Sequence, residues 1–184
     1  MNTVDYTQEI VNELQHSVSQ IGEGEASQLA ELLLRSSKVF VAGAGRSGLM
    51  GRAFAMRLMH VGTDAYVVGD TITPGIDKED VLVLGSGSGE TKSLVSMAEK
   101  AKMIGATVVV VTITTESSIG RLADYTVKLP GSPKDQSGSY TTIQPMASLF
   151  EQTMLVFYDA IILQMMEQTG QTTKQMFGKH ANLE

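Results

Sequence analysis

The sequence predicts an α/β fold, a doubly wound sheet of five mostly parallel strands flanked by helices. Short apolar runs alternate along the chain with stretches of helical periodicity. Because these runs contain almost no polar break, they are typical of strands buried on both faces. Two of the runs end in glycine-rich turns that lead into a helical pattern. Strands that alternate with helices in this way pair in parallel through right-handed crossovers.

The chain has 184 residues, the length of one domain, and shows no repeat or linker. We therefore predict a single domain over residues 1–184. Its first part, 3–35, is predicted to be two helices, at 3–20 and 25–35. Leucine, isoleucine and valine recur there at three- and four-residue steps, and glycines separate the two helices.

The sheet is predicted to occupy residues 38–129. Its strands are apolar and rich in valine, and they fall at 38–42, 65–68, 80–84, 107–113 and 125–129. The helices between them are amphipathic and fall at 49–61, 94–104 and 119–123. Ligands of such sheets bind beyond the carboxyl ends of the strands. The glycine turns after the first and third strands lie at that edge.

The last part, 146–184, is predicted to be a long helix at 146–167 and a tail at 170–184. A polar loop at 130–145 precedes it. The helix has apolar residues on more than one face, so we expect it to lie buried between the sheet and a partner. The tail is too polar to form core.

Composition excludes several classes of function. The net charge is −6, whereas binding to nucleic acid requires a basic face. The chain has no cysteine, and its three histidines form no metal-ligand motif, so we expect no metal and no cofactor. The first residues do not resemble a signal peptide, and no apolar run approaches the ~20 residues that cross a membrane. These features predict a soluble cytoplasmic protein without nucleic-acid or membrane partners.

The turn after the third strand predicts a phosphate site. It contains small and hydroxyl-bearing residues with one acid: Ser86, Gly87, Ser88, Gly89, Glu90 and Thr91. The free amides at a helix start point outward, and the helix dipole favours an anion there. Glycines let those amides approach a ligand, and the hydroxyls add donors. The alternative is an ordinary strand-to-helix turn with capping residues.

The turn after the first strand, 43–48, matches the GxGxxG pattern of dinucleotide sites. A dinucleotide also requires an acid at the end of the second strand, where Asp70 is the candidate, but it does not require a second glycine turn. Two hydroxyl-bearing turns at one edge favour a small, phosphorylated, polyhydroxylated ligand. Ser47 would then be a donor, with Gly45 and Arg46 as possible participants. Arg46 could bind the phosphate, pair with an acid across a subunit contact, or be solvated.

The two turns together resemble the sugar isomerase (SIS) domain family, and the resemblance covers most of the chain. The residues that carry it are Gly43, Gly45, Ser47, Gly48 and the turn 86–91. The stretches 144–151 and 180–184 are similar to those of 6-phospho-3-hexuloisomerases, enzymes of ribulose monophosphate formaldehyde fixation. The tail of that family often has arginine before its histidine, where this chain has Lys179.

The resemblance implies a homotetrameric isomerase that needs no cofactor and binds a sugar phosphate at subunit interfaces. It also implies functional coupling to 3-hexulose-6-phosphate synthase, in formaldehyde assimilation and detoxification. By this resemblance Ser47 and the turn 86–91 hold the phosphate, and Glu151 is the catalytic base. D-arabino-3-hexulose 6-phosphate becomes fructose 6-phosphate when a proton leaves C2, an enediolate forms and a proton returns at C3. One carboxylate on one face of the sugar can make both transfers.

Glu151 lies among apolar neighbours but close to the predicted helix start. The neighbours favour the neutral acid and the helix start favours the carboxylate, and the sequence leaves the balance open. His180 lies in the polar tail, where a plain surface role is the alternative. If the tail reaches a neighbouring site, we expect His180 to polarise or shuttle protons between the C2 and C3 oxygens, or to help the product ring close.

Two other functions stay open. One is another SIS isomerase, acting on arabinose 5-phosphate or sedoheptulose 7-phosphate. The other is a non-catalytic sugar-phosphate sensor. A sensor would bind its ligand without exchanging the C2 proton with solvent, and a sibling isomerase would not turn over the 3-hexulose phosphate.

Overall fold

The computed structural model describes residues 1–132 and 142–183. The strands are β1 (Val39–Gly43), β2 (Ala65–Val67), β3 (Val81–Gly85), β4 (Thr107–Thr112) and β5 (Tyr125–Lys128). The helices are α1 (Thr3–Val18), α2 (Glu23–Arg35), α3 (Gly45–Val61), α4 (Lys92–Ile104), α5 (Ser118–Leu122), α6 (Ser148–Thr169) and α7 (Thr173–Phe177). Most of the predicted loop at 130–145, and Glu184 of the tail, lie outside the described residues.

The strands form one sheet in the order β2-β1-β3-β4-β5, and every pairing is parallel. The predicted α/β fold is confirmed, and the sheet is parallel throughout rather than mostly parallel. Every strand boundary lies within one residue of its predicted position. The boundaries were predictable because buried runs of valine and leucine leave few alternative placements.

Successive side chains of the central strands point into two separate cores, because strand side chains alternate between the faces of a sheet. Val39, Val41 and Val83 pack on one side with α2, α3 and α6. Phe40 and Leu82 pack on the other side with α4 and α5. The sheet is therefore covered on both faces, as an all-parallel sheet requires.

The strand register places the two glycine turns side by side. Gly43, the last residue of β1, lies directly opposite Gly85, the last residue of β3. α3 begins two residues after Gly43, and α4 begins at Lys92 after the second turn. The N-termini of both helices therefore meet at the carboxyl edge of the sheet, where ligands of this fold class bind.

α3 begins four residues before the predicted start at residue 49, because the glycine turn itself forms the first helical turn. Helix and strand are in close contact there. A Cβ atom added to Gly48 would lie 2.5 Å from the carbonyl oxygen of Gly43. The glycine at position 48 is therefore required by close packing of α3 on β1, whatever ligand the turn binds.

α6 is the central helix of one core. Its 22 residues have the length and apolar composition of a membrane span, although the sequence showed no unbroken apolar run of that size. More than half of its most apolar window, 56%, is buried against the rest of the chain, where it contacts α1, α2 and α3. Burial of this kind identifies α6 as a core helix. Val156 and Leu163 stay exposed on its outer side.

The contact between Gly43 and Gly48 makes a testable prediction. Gly48→Ala should lower the free energy of unfolding by about 2 kcal/mol, because the added methyl group must push α3 away from β1. Gly24→Ala in α2 is the matched control, since a Cβ at Gly24 would meet nothing within 4 Å. Urea unfolding of both variants measures the difference, and equal stabilities would show that α3 is not held against β1 as described.

Candidate functional site

A cavity of about 290 Å³ opens at the carboxyl edge of the sheet, between the two glycine turns. Its lining residues are all uncharged: Ala44, Ser47, Gly85, Ser86, Gly87, Ser88, Thr91, Leu94, Ile113 and Ala147. Five of these were predicted site residues from two separate turns. The structure therefore brings Ser47 together with Ser86, Gly87, Ser88 and Thr91.

Hydrogen bonds fix the shape of the second turn. The Ser86 hydroxyl accepts from the Gly89 amide at 3.1 Å, and the Ser88 hydroxyl accepts from the Glu90 amide at 3.3 Å. The Gly87 carbonyl accepts from the Ile113 amide at 3.1 Å, which ties the turn to the end of β4. Each of these bonds uses an oxygen of the turn as the acceptor. The turn is thereby held rigid without using the hydroxyl protons of its serines.

The helices that begin at this cavity have no side-chain cap. The N-cap residues Ala44 of α3 and Thr91 of α4 make no side-chain hydrogen bond to their helices, as is also true of Gly22 at α2. By contrast, α1, α5 and α7 are capped by Asn2, Ser117 and Thr172. The first amides of α3 and α4 are consequently available to a ligand. Two helix dipoles with open amides at one cavity favour an anion such as phosphate.

Two glycines allow the turns to adopt this geometry. Gly45 and Gly89 have φ angles of +57° and +63°, a region that residues with a Cβ atom seldom adopt. A Cβ atom at Gly89 would also collide with the Ser117 side chain. Gly89 does not line the cavity, but because it has no side chain the turn can pack against the start of α5.

Glu90 occupies a different position from the rest of its turn. Its carboxylate accepts hydrogen bonds from the Ser118 amide and the Ser118 hydroxyl, both at 2.7 Å. These bonds to Ser118 hold the pKa of Glu90 below its ordinary value. The Glu90 side chain is absent from the cavity lining and instead ties the turn to the start of α5.

Glu151 lies in the first turn of α6 and is buried, with 6% of its surface exposed. Its carboxylate pairs with the Arg46 guanidinium at 3.2 Å. Arg46 thus pairs with an acid of its own chain, a partner that lies outside the three alternatives considered for it. Glu151 is not itself a lining residue, but its amide donates to the carbonyl of Ala147, which does line the cavity. A buried carboxylate thus lies one helical turn from the cavity wall, paired with a residue of the first glycine turn.

His180 lies away from this cavity in its own chain. Its ring stacks on that of His60 at a centroid distance of 5.6 Å, near the C-terminal end of α3. Ser47 lies at the other end of α3, thirteen residues earlier, which corresponds to about 20 Å along the helix. Gln171 holds the start of the tail there, since its side-chain amide donates to the Val61 carbonyl at 2.6 Å. Within one chain the structure therefore does not bring His180 and Glu151 together.

Asp70, the candidate acid of a dinucleotide site, forms an ion pair with Arg52 at 2.9 Å. This exposed pair engages one oxygen of the carboxylate that a ribose would need. Among the described residues there is also no group of three or more histidine, cysteine, aspartate or glutamate side chains placed to bind a metal.

Sequence reasoning missed the apolar part of the lining. Ile113 follows β4 at the same edge as the two turns, so the rule for parallel sheets could have included it. Ala147 could not have been found in this way. It precedes α6, and only the packing of α6 on the sheet brings it to the cavity.

The fold and the cavity define an α/β domain with a pocket between two glycine turns, and comparisons with known proteins identify its family. The SIS domain family matches residues 32–156, and the chain belongs to this family. It is 56% identical to the 3-hexulose-6-phosphate isomerase of Bacillus subtilis (strain 168), over the full length of both chains. It is 35% identical to the 3-hexulose-6-phosphate isomerase of Methylomonas aminofaciens, over 97% of this chain and 98% of that one.

A solved structure supports the same assignment of the fold. A protein of Methanococcus jannaschii, whose crystal structure infers a molecular function of 3-hexulose-6-phosphate isomerase, superposes with a TM-score of 0.84. The two sequences are 31% identical, and the match covers 98% of this chain and 99% of that one.

The role of Glu90 can be tested with a pair of variants. Glu90→Ala removes both bonds to Ser118, whereas Glu90→Gln removes the same charge but can still accept from the Ser118 amide. We expect the alanine variant to bind inorganic phosphate about fivefold more weakly than the glutamine variant, the effect of one ordinary hydrogen bond. Thermal-shift titration with phosphate measures both affinities. Equal affinities would show that the Glu90 bonds do not shape the turn.

Proposed function

We propose that this chain is an isomerase that interconverts D-arabino-3-hexulose 6-phosphate and fructose 6-phosphate. The observation that carries the proposal is the buried Glu151 carboxylate, one helical turn from a cavity where two helices begin without side-chain caps. The named relatives with this activity match the chain along its whole length, which supports the choice of substrate. The proposed reaction moves protons only, so it requires no redox or metal cofactor.

The phosphate group is proposed to bind between the two turns. Ser47 and the residues 86–91 surround the cavity or hold its wall, with Gly45 allowing the first turn to fold. Because the lining has no charged side chain, attraction for phosphate comes from helix amides and hydroxyl donors. The cavity volume of about 290 Å³ lies at the lower end of the range for small-molecule sites, which suits one sugar phosphate.

Glu151 is proposed as the single base. Its carboxylate takes the C2 proton, and the electrons pass to the C3 carbonyl oxygen to form the C2–C3 enediolate. The C2 hydroxyl proton is transferred to the C3 oxygen, and the same carboxyl group returns a proton at C3, which leaves the carbonyl at C2. Arg46 has a role in the same step. When Glu151 becomes neutral, negative charge appears on the substrate, and the guanidinium that paired with Glu151 can pair with the enediolate. The number of charges at the site is therefore unchanged during proton transfer.

His180 is proposed to act in the site of a neighbouring subunit. Its position about 20 Å from Ser47 along α3 leaves it no role in its own cavity. The site therefore requires assembly, and we propose a homotetramer with active sites at subunit interfaces. Exposed apolar residues support an assembly: Val4, Val11 and Val18 on α1, and Val156 and Leu163 on α6. Each set recurs at seven-residue steps, a spacing that returns to the same helix face after two turns.

The cellular setting follows from the proposed substrate. A 3-hexulose phosphate must be supplied by a synthase, so we propose functional coupling to 3-hexulose-6-phosphate synthase. The net charge of −6 and the burial of α6 favour a soluble, cytoplasmic enzyme without nucleic-acid or membrane partners.

Replacement of the proposed base tests the mechanism. Glu151→Gln should lower kcat by about 10³-fold, because glutamine keeps the shape but cannot take a proton. The assay combines formaldehyde, ribulose 5-phosphate and a hexulose phosphate synthase, and follows the formation of fructose 6-phosphate. Binding of fructose 6-phosphate by the variant should stay within a few-fold of wild type.

The same assay separates the competing functions. If wild type exchanges the C3 hydrogen of fructose 6-phosphate with deuterated solvent, a sensor is excluded. Turnover of arabinose 5-phosphate or sedoheptulose 7-phosphate, but not of the hexulose phosphate, would support a sibling isomerase instead. Retained activity in the Glu151→Gln variant would remove Glu151 from the mechanism.

Mixing of variant subunits tests whether His180 acts in the site of its own subunit or of a neighbouring one. Glu151→Gln and His180→Ala should each be nearly inactive as pure assemblies. Random mixed assemblies should regain about one quarter of wild-type activity, because each site draws Glu151 from one subunit and His180 from another. Coexpression with two affinity tags isolates the mixed assemblies for assay. Failure to regain activity would place both residues in one chain or exclude His180 from the site.

A further inference from the structure

The carboxylate of Glu13, which does not line the cavity, accepts three hydrogen bonds. Glu13 lies on the side of α1 that packs toward α6. Its carboxylate accepts from the Thr142 hydroxyl at 2.7 Å, the Ile143 amide at 2.7 Å and the Gln144 side-chain amide at 2.9 Å. Three donors from consecutive residues therefore converge on one carboxylate more than 120 positions away in sequence.

These three residues begin the segment that leads into the active site. Gln144 is buried, with 4% of its surface exposed. The segment continues to Ala147, which lines the cavity and accepts the amide of Glu151. Met146, between them, has a φ of +60°, which costs a residue with a Cβ atom about 1–2 kcal/mol. A strained residue five positions before the proposed base keeps one conformation only if contacts from other segments stabilise it.

We propose that Glu13 is a positioning residue for the isomerase site, holding residues 142–144 so that the first turn of α6 presents Glu151 to the substrate. The inference rests on the proposed isomerase function, and Glu13 itself touches neither the substrate nor Glu151. It acts through the backbone of the segment before α6.

The bonding pattern requires an ionised acid. All three partners donate to Glu13, and a neutral carboxylic acid or an amide has fewer acceptor sites to offer them. Burial raises the pKa of Glu13, but the hydrogen bonds from Gln144, Thr142 and Ile143 outweigh it, so the pKa lies below its ordinary value. Glu13 is therefore ionised at neutral pH, when all three bonds are intact.

The hydrogen bonds of Glu13 also connect the segment before α6 to the outer surface of α1. The exposed Val4, Val11 and Val18 lie on the side of α1 opposite Glu13, since nine residues from Val4 to Glu13 correspond to half a turn beyond two full turns. A subunit packed on the valines would press on the helix that holds residues 142–144.

Three variants of the full-length protein test the positioning role. Glu13→Ala removes all three bonds and should lower kcat about tenfold with a smaller change in KM, since a misplaced base slows chemistry more than binding. Glu13→Gln keeps part of the bonding and should recover part of the loss. Glu167→Ala, which removes a charge from the exposed last turn of α6, is the matched control and should match wild type.

Hydrogen exchange supplies a readout independent of turnover. Mass spectrometry of peptides covering 142–151 should show faster amide exchange in Glu13→Ala than in wild type or Glu167→Ala. If the kcat per folded subunit of both Glu13 variants equals that of wild type, the positioning role is overturned. If wild type itself does not isomerise the hexulose phosphate, the proposed function fails, and the exchange result alone then decides whether Glu13 holds the segment.

Acid unfolding provides a second check that does not require activity. Because the folded pKa of Glu13 is lowered, its stabilisation is present above the ordinary value of 4.5 and is lost as the pH falls through the folded value. The stability difference between wild type and Glu13→Gln should therefore be full at pH 7 and shrink below pH 4.5. A difference that does not change with pH would show that the charge on Glu13 is unimportant.

Discussion

The site depends on the register between β1 and β3. Because Gly43 and Gly85 end these neighbouring strands directly opposite each other, the turns that follow must share one edge. Each turn then opens a helix whose first amides are not capped by a side chain. A shift of one residue would move every strand side chain to the other face and separate the two turns. The two apolar cores, one on each face of the sheet, fix this register and thereby bring the two turns together.

The charges of the site are arranged around a neutral cavity. No charged side chain lines it, and Arg46, next to the lining residue Ser47, forms an ion pair with Glu151. Glu90, although part of the central turn, directs its carboxylate to Ser118. An anion bound as proposed would meet helix dipoles and hydroxyls, which need no compensating charge of their own. Glu151, the proposed base, is paired with Arg46 in this structure.

The two ends of the chain serve the site in different ways. α1 holds the segment before α6 through Glu13, so an N-terminal helix outside the sheet supports the segment that leads to Glu151. The C-terminal tail instead lies along the far end of α3, where His180 stacks on His60. The two proposed catalytic groups, Glu151 and His180, therefore lie near opposite ends of α3 within one chain. This geometry, together with the exposed apolar stripes, is the physical reason to expect an oligomer.

The sequence by itself determined the α/β fold, the strand positions, both glycine turns and the acid at position 151. These features are local: apolar runs mark buried strands, and turns that alternate glycine with hydroxyl-bearing residues mark helix starts near anions. Tertiary structure alone decided that Arg46 pairs with Glu151, that Glu90 turns away from the cavity and that Ala147 lines it. It also placed His180 far from Ser47 and Glu13 against residues 142–144. Each of these contacts joins segments far apart in sequence, and only the packing of α1, α3 and α6 on the sheet brings them together.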